Sequence, residues 1–326
     1  MTERIRILNR QREDTGIRKG RDEIHDGDFV EVIHLWVQSP EGRHLLQKRS
    51  ASKALFPGAW DSAAAGAVIA GETPACAAVR EIAEELGIQA QEEDLVYLFT
   101  AEFEMGFDDY FLLIIPETTP LEILEEEVSL AEWFDTEDVL SFIEDGLFTE
   151  HEGTWQMEER LRESLFQDLL GETVDEISFH PANGVLLLRF HQKSVVFEGV
   201  STTEGSLHAQ GGKLSALKCS VKGKRQRWKL TFPSTTFTVD AARAERRDNE
   251  DICPICGEYL RKGAVYADQQ INWTPEGTKV GVFSRPTRWS MGKDDIKLAD
   301  YFIPKKARFP LDYCMRCNIF LTEKKK

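Results

Sequence analysis

Through the first 170 residues, apolar positions come in short β-type runs broken by turn residues, with one long helical run between them. Phe29–Val37 (FVEVIHLWV) and His44–Gln47 predict two strands joined by the turn Ser39-Pro40-Glu41-Gly42. Ile5–Leu8 predicts an early strand. Ala63–Ile69 predicts a strand of small residues ending at Ala70-Gly71, and Val96–Thr100 and Tyr110–Ile115 predict two more. Ala75–Leu86 is a run of good helix formers. Thr73 suits its N-cap, Pro74 the first helical position, where a missing N–H costs nothing, and Gly87 a left-handed C-cap. Trp133–Glu144 and Met157–Leu170 predict two further helices.

After Gly171 the texture changes. Val174–Phe179, Val185–His191, Ser194–Val200, Lys213–Val221, Arg227–Phe232 and Thr235–Val239 are short β-type runs separated by turn residues such as Asn183-Gly184 and Gly211-Gly212. Regular short strands of this kind predict an antiparallel sheet or small barrel. Ala241–Asp251 (AARAERRDNED) reads as a charged helix or linker. The pattern divides the chain into 1–170, an antiparallel β-rich domain at 171–245 and a cysteine-bearing segment at 246–326, the last two open to forming one unit.

Charge sharpens that division. Residues 1–170 carry 14 Lys and Arg against 38 Asp and Glu, a net of −24, whereas 171–326 carry 26 against 18, a net of +8. Two units with different electrostatic tasks account for this, as does an acidic and a basic solvated face. No apolar run approaches the ~18 residues a membrane helix needs, and the polar, Arg-rich start has no secretory apolar core. A soluble, cytoplasmic protein with no membrane partner is expected.

The chemistry concentrates in residues 66–88, GAVIAGETPACAAVREIAEELGI. On a helix, Glu81 and Glu85 stand four apart and Glu84 three from Glu81, so all three crowd one face or its edge. Like charges so placed destabilise a helix by roughly 0.2–0.5 kcal/mol per pair. A divalent cation removes the repulsion, and magnesium prefers oxygen ligands. Arg80 can neutralise or orient one carboxylate, and Glu72 meets the helix N-terminal dipole. With Gly66, Glu72, Arg80-Glu81, Glu84-Glu85 and Gly87 in register, the segment resembles a complete Nudix box.

That resemblance implies an α/β fold for the first part, an α/β/α sandwich around a mixed sheet. It implies a hydrolase that splits phosphoanhydrides with Mg2+ (or Mn2+). Glu81, Glu84 and Glu85 become metal ligands and catalytic residues, and the Gly66 carbonyl a further ligand. His44–Ala67 is similar to isopentenyl diphosphate isomerases and the Nudix hydrolases nearest them, which place an Arg and a Lys four apart before Pro-Gly-x-Trp. Arg49 and Lys53, ahead of Pro57-Gly58-Ala59-Trp60, become the diphosphate-binding pair, with Lys48 a weaker candidate. The isomerase chemistry fails here. Those enzymes carry a reactive Cys before the box Gly and a His after it, where this chain has Ala65 and Ala67. Leu124–Trp133 (LEEEVSLAEW) resembles the acidic segment after the box in this subgroup. Glu125 becomes a further metal ligand and Glu127 a catalytic base, with Glu102 and Glu104 as rivals.

Two Cys-x-x-Cys pairs, Cys253/Cys256 and Cys314/Cys317, suit a tetrahedral structural zinc site (Zn2+). The gap between the pairs is longer than in a compact ribbon. Lys222, Lys224, Arg225, Arg227 and Trp228, then Arg285, Arg288 and Trp289, form basic and aromatic clusters of the type that binds nucleic acid. NADH pyrophosphatases also join a zinc ribbon to a Nudix domain, but their Ser-Gln-Pro-Trp-Trp motif has no counterpart here. His34, His180 and His191 read as structural, and His151 as a residue able to line a pocket. The expected function is therefore hydrolysis of a nucleoside diphosphate derivative or related diphosphate. The second domain would act as substrate selector or homodimer element. The alternative is a nucleotide-sensing or nucleic-acid-binding module.

Overall fold

The computed structural model describes residues 4–205, 207, 209–249, 251–253, 256–267, 271–275, 296–299, 307–317 and 319–321. The chain divides into two compact units, Met1–Leu165 and Phe166–Lys326.

The first unit contains β1 (Ile5–Leu8), β2 (Asp14–Lys19), β3 (Val30–Gln38), β4 (His44–Arg49), β5 (Trp60–Asp61), β6 (Ala64–Ala67), α1 (Pro74–Leu86), β7 (Leu95–Phe103), β8 (Gly106–Ile114), β9 (Val128–Phe134), α2 (Thr136–Glu144) and α3 (Thr154–Ser164). Strands β5-β4-β3-β8-β7 run across a mixed sheet, with β6 also on β3 and β9 on β4; β3 and β8 are parallel. Side-chain alternation assigns the two faces. Ile33, Leu35 and Val37 of β3 pack with Leu45 against Ala77, Ala78, Ile82 and Leu86 of α1. Trp36 and Leu46 point the other way, to Val139 and Leu140 of α2 and Met157 and Leu161 of α3. The result is the expected α/β/α sandwich. Burying Ile82 completely ties α1 to the sheet, a contact whose truncation to Ala costs about 2–5 kcal/mol.

Helix α1 starts and stops as its sequence dictates. The Thr73 hydroxyl accepts from the Cys76 N–H at 3.0 Å, and Gly87 takes the left-handed conformation at φ 71°. Two expected helices are corrected. Trp133 and Phe134 end strand β9, because they pair with Leu45 and His44 of β4, and α2 starts only after Asp135. The run from Met157 to Leu170 is α3, which begins at Thr154 and ends at Ser164, followed by a 3-10 turn at Gln167–Leu169.

The second unit is antiparallel β, with β10 (Glu176–His180), β11 (Val185–Arg189), β12 (Lys193–Glu198), β13 (Thr202–Gly205), β14 (Ala216–Lys222), β15 (Arg225–Thr231), β16 (Thr236–Ala241) and β17 (Arg243–Asp248). They form two four-stranded sheets, β10-β11-β12-β17 and β13-β16-β15-β14. The charged stretch expected as helix or linker is therefore strand β17. It is an edge strand whose Arg246 pairs with Asp168 at 2.7 Å. The buried Arg247 donates to the Gly257 carbonyl at 2.6 Å and to Glu245 at 2.5 Å. Gly263–Ala267, Ile271–Pro275, Ile296–Ala299 and Ala307–Pro310 form a third sheet, and Asp312–Cys314 with Ile319–Leu321 a hairpin. Among the described residues no helix is long and apolar enough to cross a membrane.

Candidate active site

A cavity of about 950 Å³ opens in the first unit, walled in part by β3, β6, α1 and the segments around Lys53 and His151. The neighbours of the box glutamates fix their geometry. The Arg80 guanidinium grips Glu72 with two bonds, Nε–Oε1 at 2.8 Å and Nη2–Oε2 at 3.1 Å. It also donates to Glu81 at 2.7 Å, Glu84 at 3.3 Å and the Ala67 carbonyl at 3.1 Å. Arg80 thus locks the strand–loop–helix corner, and Glu72 serves this clasp. Gly66 lies against Glu81 so closely that a Cβ there would sit 1.9 Å from Oε1. Only glycine lets that carboxylate lie over β6.

Glu85 is buried, with its Oε2 accepting from Gln47 Nε2 at 2.9 Å. Burial first, and then the neighbouring Glu81 carboxylate, push its carboxyl up to about 8, against the pull of the Gln47 amide. A buried carboxylate beside a like charge is a site a hard divalent cation relieves, so these residues fit such an ion. Glu84 also lines the cavity, with about half of its side chain exposed.

Across the cavity, Arg49 donates to Asp61 at 3.0 Å and to the Leu55 carbonyl at 3.1 Å. Lys53 is paired with Glu127, and burial with Arg49 nearby lowers its pKa. Both cations and Glu127 line the cavity. Lys48 instead lies over the Trp60 ring. Glu125, in the same turn as Glu127, is exposed and outside the cavity wall. Glu102 and Glu104 also stand off it, with Glu102 near Arg10 at 3.8 Å.

Sequence reasoning takes His34 as structural and passes over Asp61 and Asp108. All three are buried in or beside the cavity wall, with His151 next to them. His34 stacks on Tyr110, with ring centroids 4.7 Å apart, and also meets His151 at 4.4 Å. The polar pair Asp108-Asp109 inside the apolar strand β8 is the trace in the sequence that points here. Burial lowers the pKa of His151 to about 4, and the adjacent His34 adds to it.

In the second unit, the four paired cysteines converge. Cys253 and Cys317 sulfurs lie 3.9 Å apart and Cys256 and Cys314 sulfurs 3.6 Å. Tetrahedral zinc with thiolate bonds of ≈ 2.3 Å sets sulfurs about 3.8 Å apart. Gly257 turns back at φ 71°, its N–H bonded to the Cys253 carbonyl, and the Cys317 N–H points at the Cys314 sulfur. This four-cysteine cluster can hold a metal ion. The basic cluster is corrected in one respect: Trp228 is buried, in edge contact with Phe166 at 5.0 Å, and is not free to stack on a base. Arg227 is paired with Asp240 at 2.7 Å. Arg285, Arg288 and Trp289 lie outside the described residues.

Clustered box carboxylates on a capped helix, a glycine strand beneath them and cations opposite define a hydrolase acting on acid anhydrides. Comparison with known proteins agrees. The NUDIX domain model matches residues 28–155, and a model described as Domain of unknown function (DUF6487) matches 253–326. An uncharacterized Nudix hydrolase of Listeria monocytogenes is 37% identical over 144 residues, covering 44% of this chain and 85% of that protein. Isopentenyl-diphosphate Delta-isomerase of Escherichia coli is 28% identical over 156 residues, 44% of this chain and 82% of the enzyme. Nudix hydrolase 3 of Arabidopsis thaliana is 33% identical over 156 residues, but the chain spans only 20% of its length. A solved protein of Deinococcus radiodurans aligns at 27% identity and a TM-score of 0.40, covering 49% of this chain and 98% of that one. The chain belongs to the Nudix hydrolase family.

Proposed function

We propose that the first unit hydrolyses a phosphoanhydride in a nucleoside diphosphate derivative or related diphosphate, with magnesium, or manganese in its place. One observation carries the reading: Glu85 is buried beside Glu81 at the cavity wall, where two like charges call for a cation. Glu81, Glu84, Glu85 and the Gly66 carbonyl would hold magnesium, which when bound offsets phosphate charge and supplies Lewis acidity for attack of water on phosphorus. Arg49 and Lys53 bind the diphosphate. When Lys53 turns to the phosphate it releases Glu127, whose freed carboxylate takes the proton of the attacking water. Exposed Leu55 and Trp155 at the cavity wall present apolar surface to the rest of the substrate. Alanine at 65 and 67 offers neither the thiol nor the imidazole of an isomerase, which favours hydrolysis over isomerisation. The four-cysteine cluster holds structural zinc, and its cysteines, which form no disulfide, suit a reducing cytoplasm.

The test is anhydride cleavage, read by chromatography of the products, on a panel of nucleoside diphosphates, sugar nucleotides, dinucleotides and capped RNAs. Wild type is compared with Glu85→Gln, each with magnesium and with chelator. Turnover that needs magnesium and vanishes in the variant is expected. No turnover on any member by a folded, zinc-loaded chain would refute the hydrolase and favour a binding module.

A further inference from the structure

In and just behind the cavity wall stands a second cluster of side chains able to hold a metal ion, on elements other than the box helix. One ring nitrogen of His34, one of His151 and a carboxylate oxygen of Asp61 all lie within 4.8 Å of one another. His34 comes from the middle of β3, Asp61 from β5 and His151 from the turn before α3. No local sequence spacing joins them; only the fold does.

Three observations separate this cluster from ordinary packing. His34 is 1% exposed, yet its Nε2 has no hydrogen bond, and the buried Nε2 of His151 has none either. Buried imidazole nitrogens without partners are costly unless something fills the gap. Asp61 is held from behind. Its Oδ1 accepts from the Ser62 N–H at 2.8 Å and the Thr149 hydroxyl at 3.0 Å, and its Oδ2 from Arg49 at 3.0 Å. Outer hydrogen bonds of this kind orient a metal-ligating carboxylate. Asp108 Oδ1 stands 3.4 Å from His34 Nε2 and adds negative charge. The charged groups facing the cluster are then Asp61, Asp108 and Arg49, net negative around the two rings.

We propose that His34, Asp61 and His151 form a second metal site, which takes a divalent transition ion of the zinc type from solution. Two imidazoles and a carboxylate are the donors such ions prefer, whereas magnesium prefers oxygens alone. Ligand atoms around tetrahedral zinc stand about 3.3 Å apart, so side-chain shifts of about 1 Å close the site. Three protein ligands leave a position for water or an anionic ligand oxygen, in the cavity the box glutamates share. The site thus gives the cavity a softer ion beside the hard one, and it stands whether or not the chain hydrolyses anhydrides.

The experiment is the zinc content of the full chain after dialysis at submicromolar free zinc, with magnesium in large excess to keep zinc off the box glutamates. Wild type, His34→Gln, His151→Gln and Glu85→Gln are compared by elemental analysis. Wild type should hold about one zinc per chain more than either histidine variant, and Glu85→Gln should match wild type. Equal content in wild type and both histidine variants would overturn the proposal. Wild-type crystals soaked in zinc give a reading that needs no variant to fold. An anomalous peak bounded by both imidazoles and Asp61 supports the site, and its absence overturns it.

Discussion

Replacing Gly66 by Ala adds one methyl group and isolates the link between strand β6 and the box helix. The new Cβ would sit 1.9 Å from Glu81 Oε1 and 2.2 Å from its Cδ, where ordinary contact begins at 3.4 Å. The carboxylate must then withdraw by about 1.5 Å, and a misplacement of ~1 Å at a reacting centre costs about 10²-fold. Gly66 is not in the left-handed region, so alanine adopts its backbone without strain. Fold stability should therefore change by less than about 1 kcal/mol, because the group that yields is the end of a flexible side chain. The expected result is a fall of about 10²-fold or more in magnesium-dependent kcat/KM with near-normal thermal unfolding. In a Glu81→Ala background the same change should add almost nothing, since the two act through one carboxylate. Turnover within about threefold of wild type, or a loss that adds fully to that of Glu81→Ala, would refute the reasoning.

Three further outcomes follow from the same structure. His44 is buried and its pKa is lowered to about 4. The unfolded chain binds a proton near 6.5 that the folded one refuses, so stability is full above that pH and lost as pH falls toward the folded value. About 3 kcal/mol is at stake, and His44→Leu should remove that share of the loss in denaturant stability over the window, leaving the share of His151. Cys256→Ser should abolish metal binding by the four-cysteine cluster and raise hydrogen exchange around Gly257–Leu260, as should chelation of wild type, because a metal bound there contributes to the folding energy. Thr73→Ala removes the hydroxyl that caps α1 and should cost about 1 kcal/mol in denaturant melts.

The framework of the first unit is legible because its periodicities are local. The helix from Pro74 with its Thr and Gly caps, and strands β3 and β4, follow from neighbours in the chain. The box residues are legible for the same reason, as one helix and one loop carry them. Trp133 and Phe134, the end of strand β9, read as the start of a helix because their partners in β4, Leu45 and His44, lie about 90 residues away and supply what the segment's own pattern does not. Strand β17 is hidden by its charge: Arg247 is buried through pairing with Glu245, Glu198 and a carbonyl, none of which composition reveals. His34, Asp61 and His151 escape a reading by spacing because they are gathered from three separate elements.

The parallel pairing of β3 with β8 joins Val30 to Gly106, and the cavity wall is finished only by Trp155. On a ribosome, β3 therefore emerges long before the strand that covers its edge. Until then a hydrophobic strand waits with an open edge, exposed to association with other chains. Loop closure must precede the reward of pairing, so this unit should fold slowly for its size. Its helix and box can form early as local structure, but a working pocket waits until synthesis of this unit is nearly done.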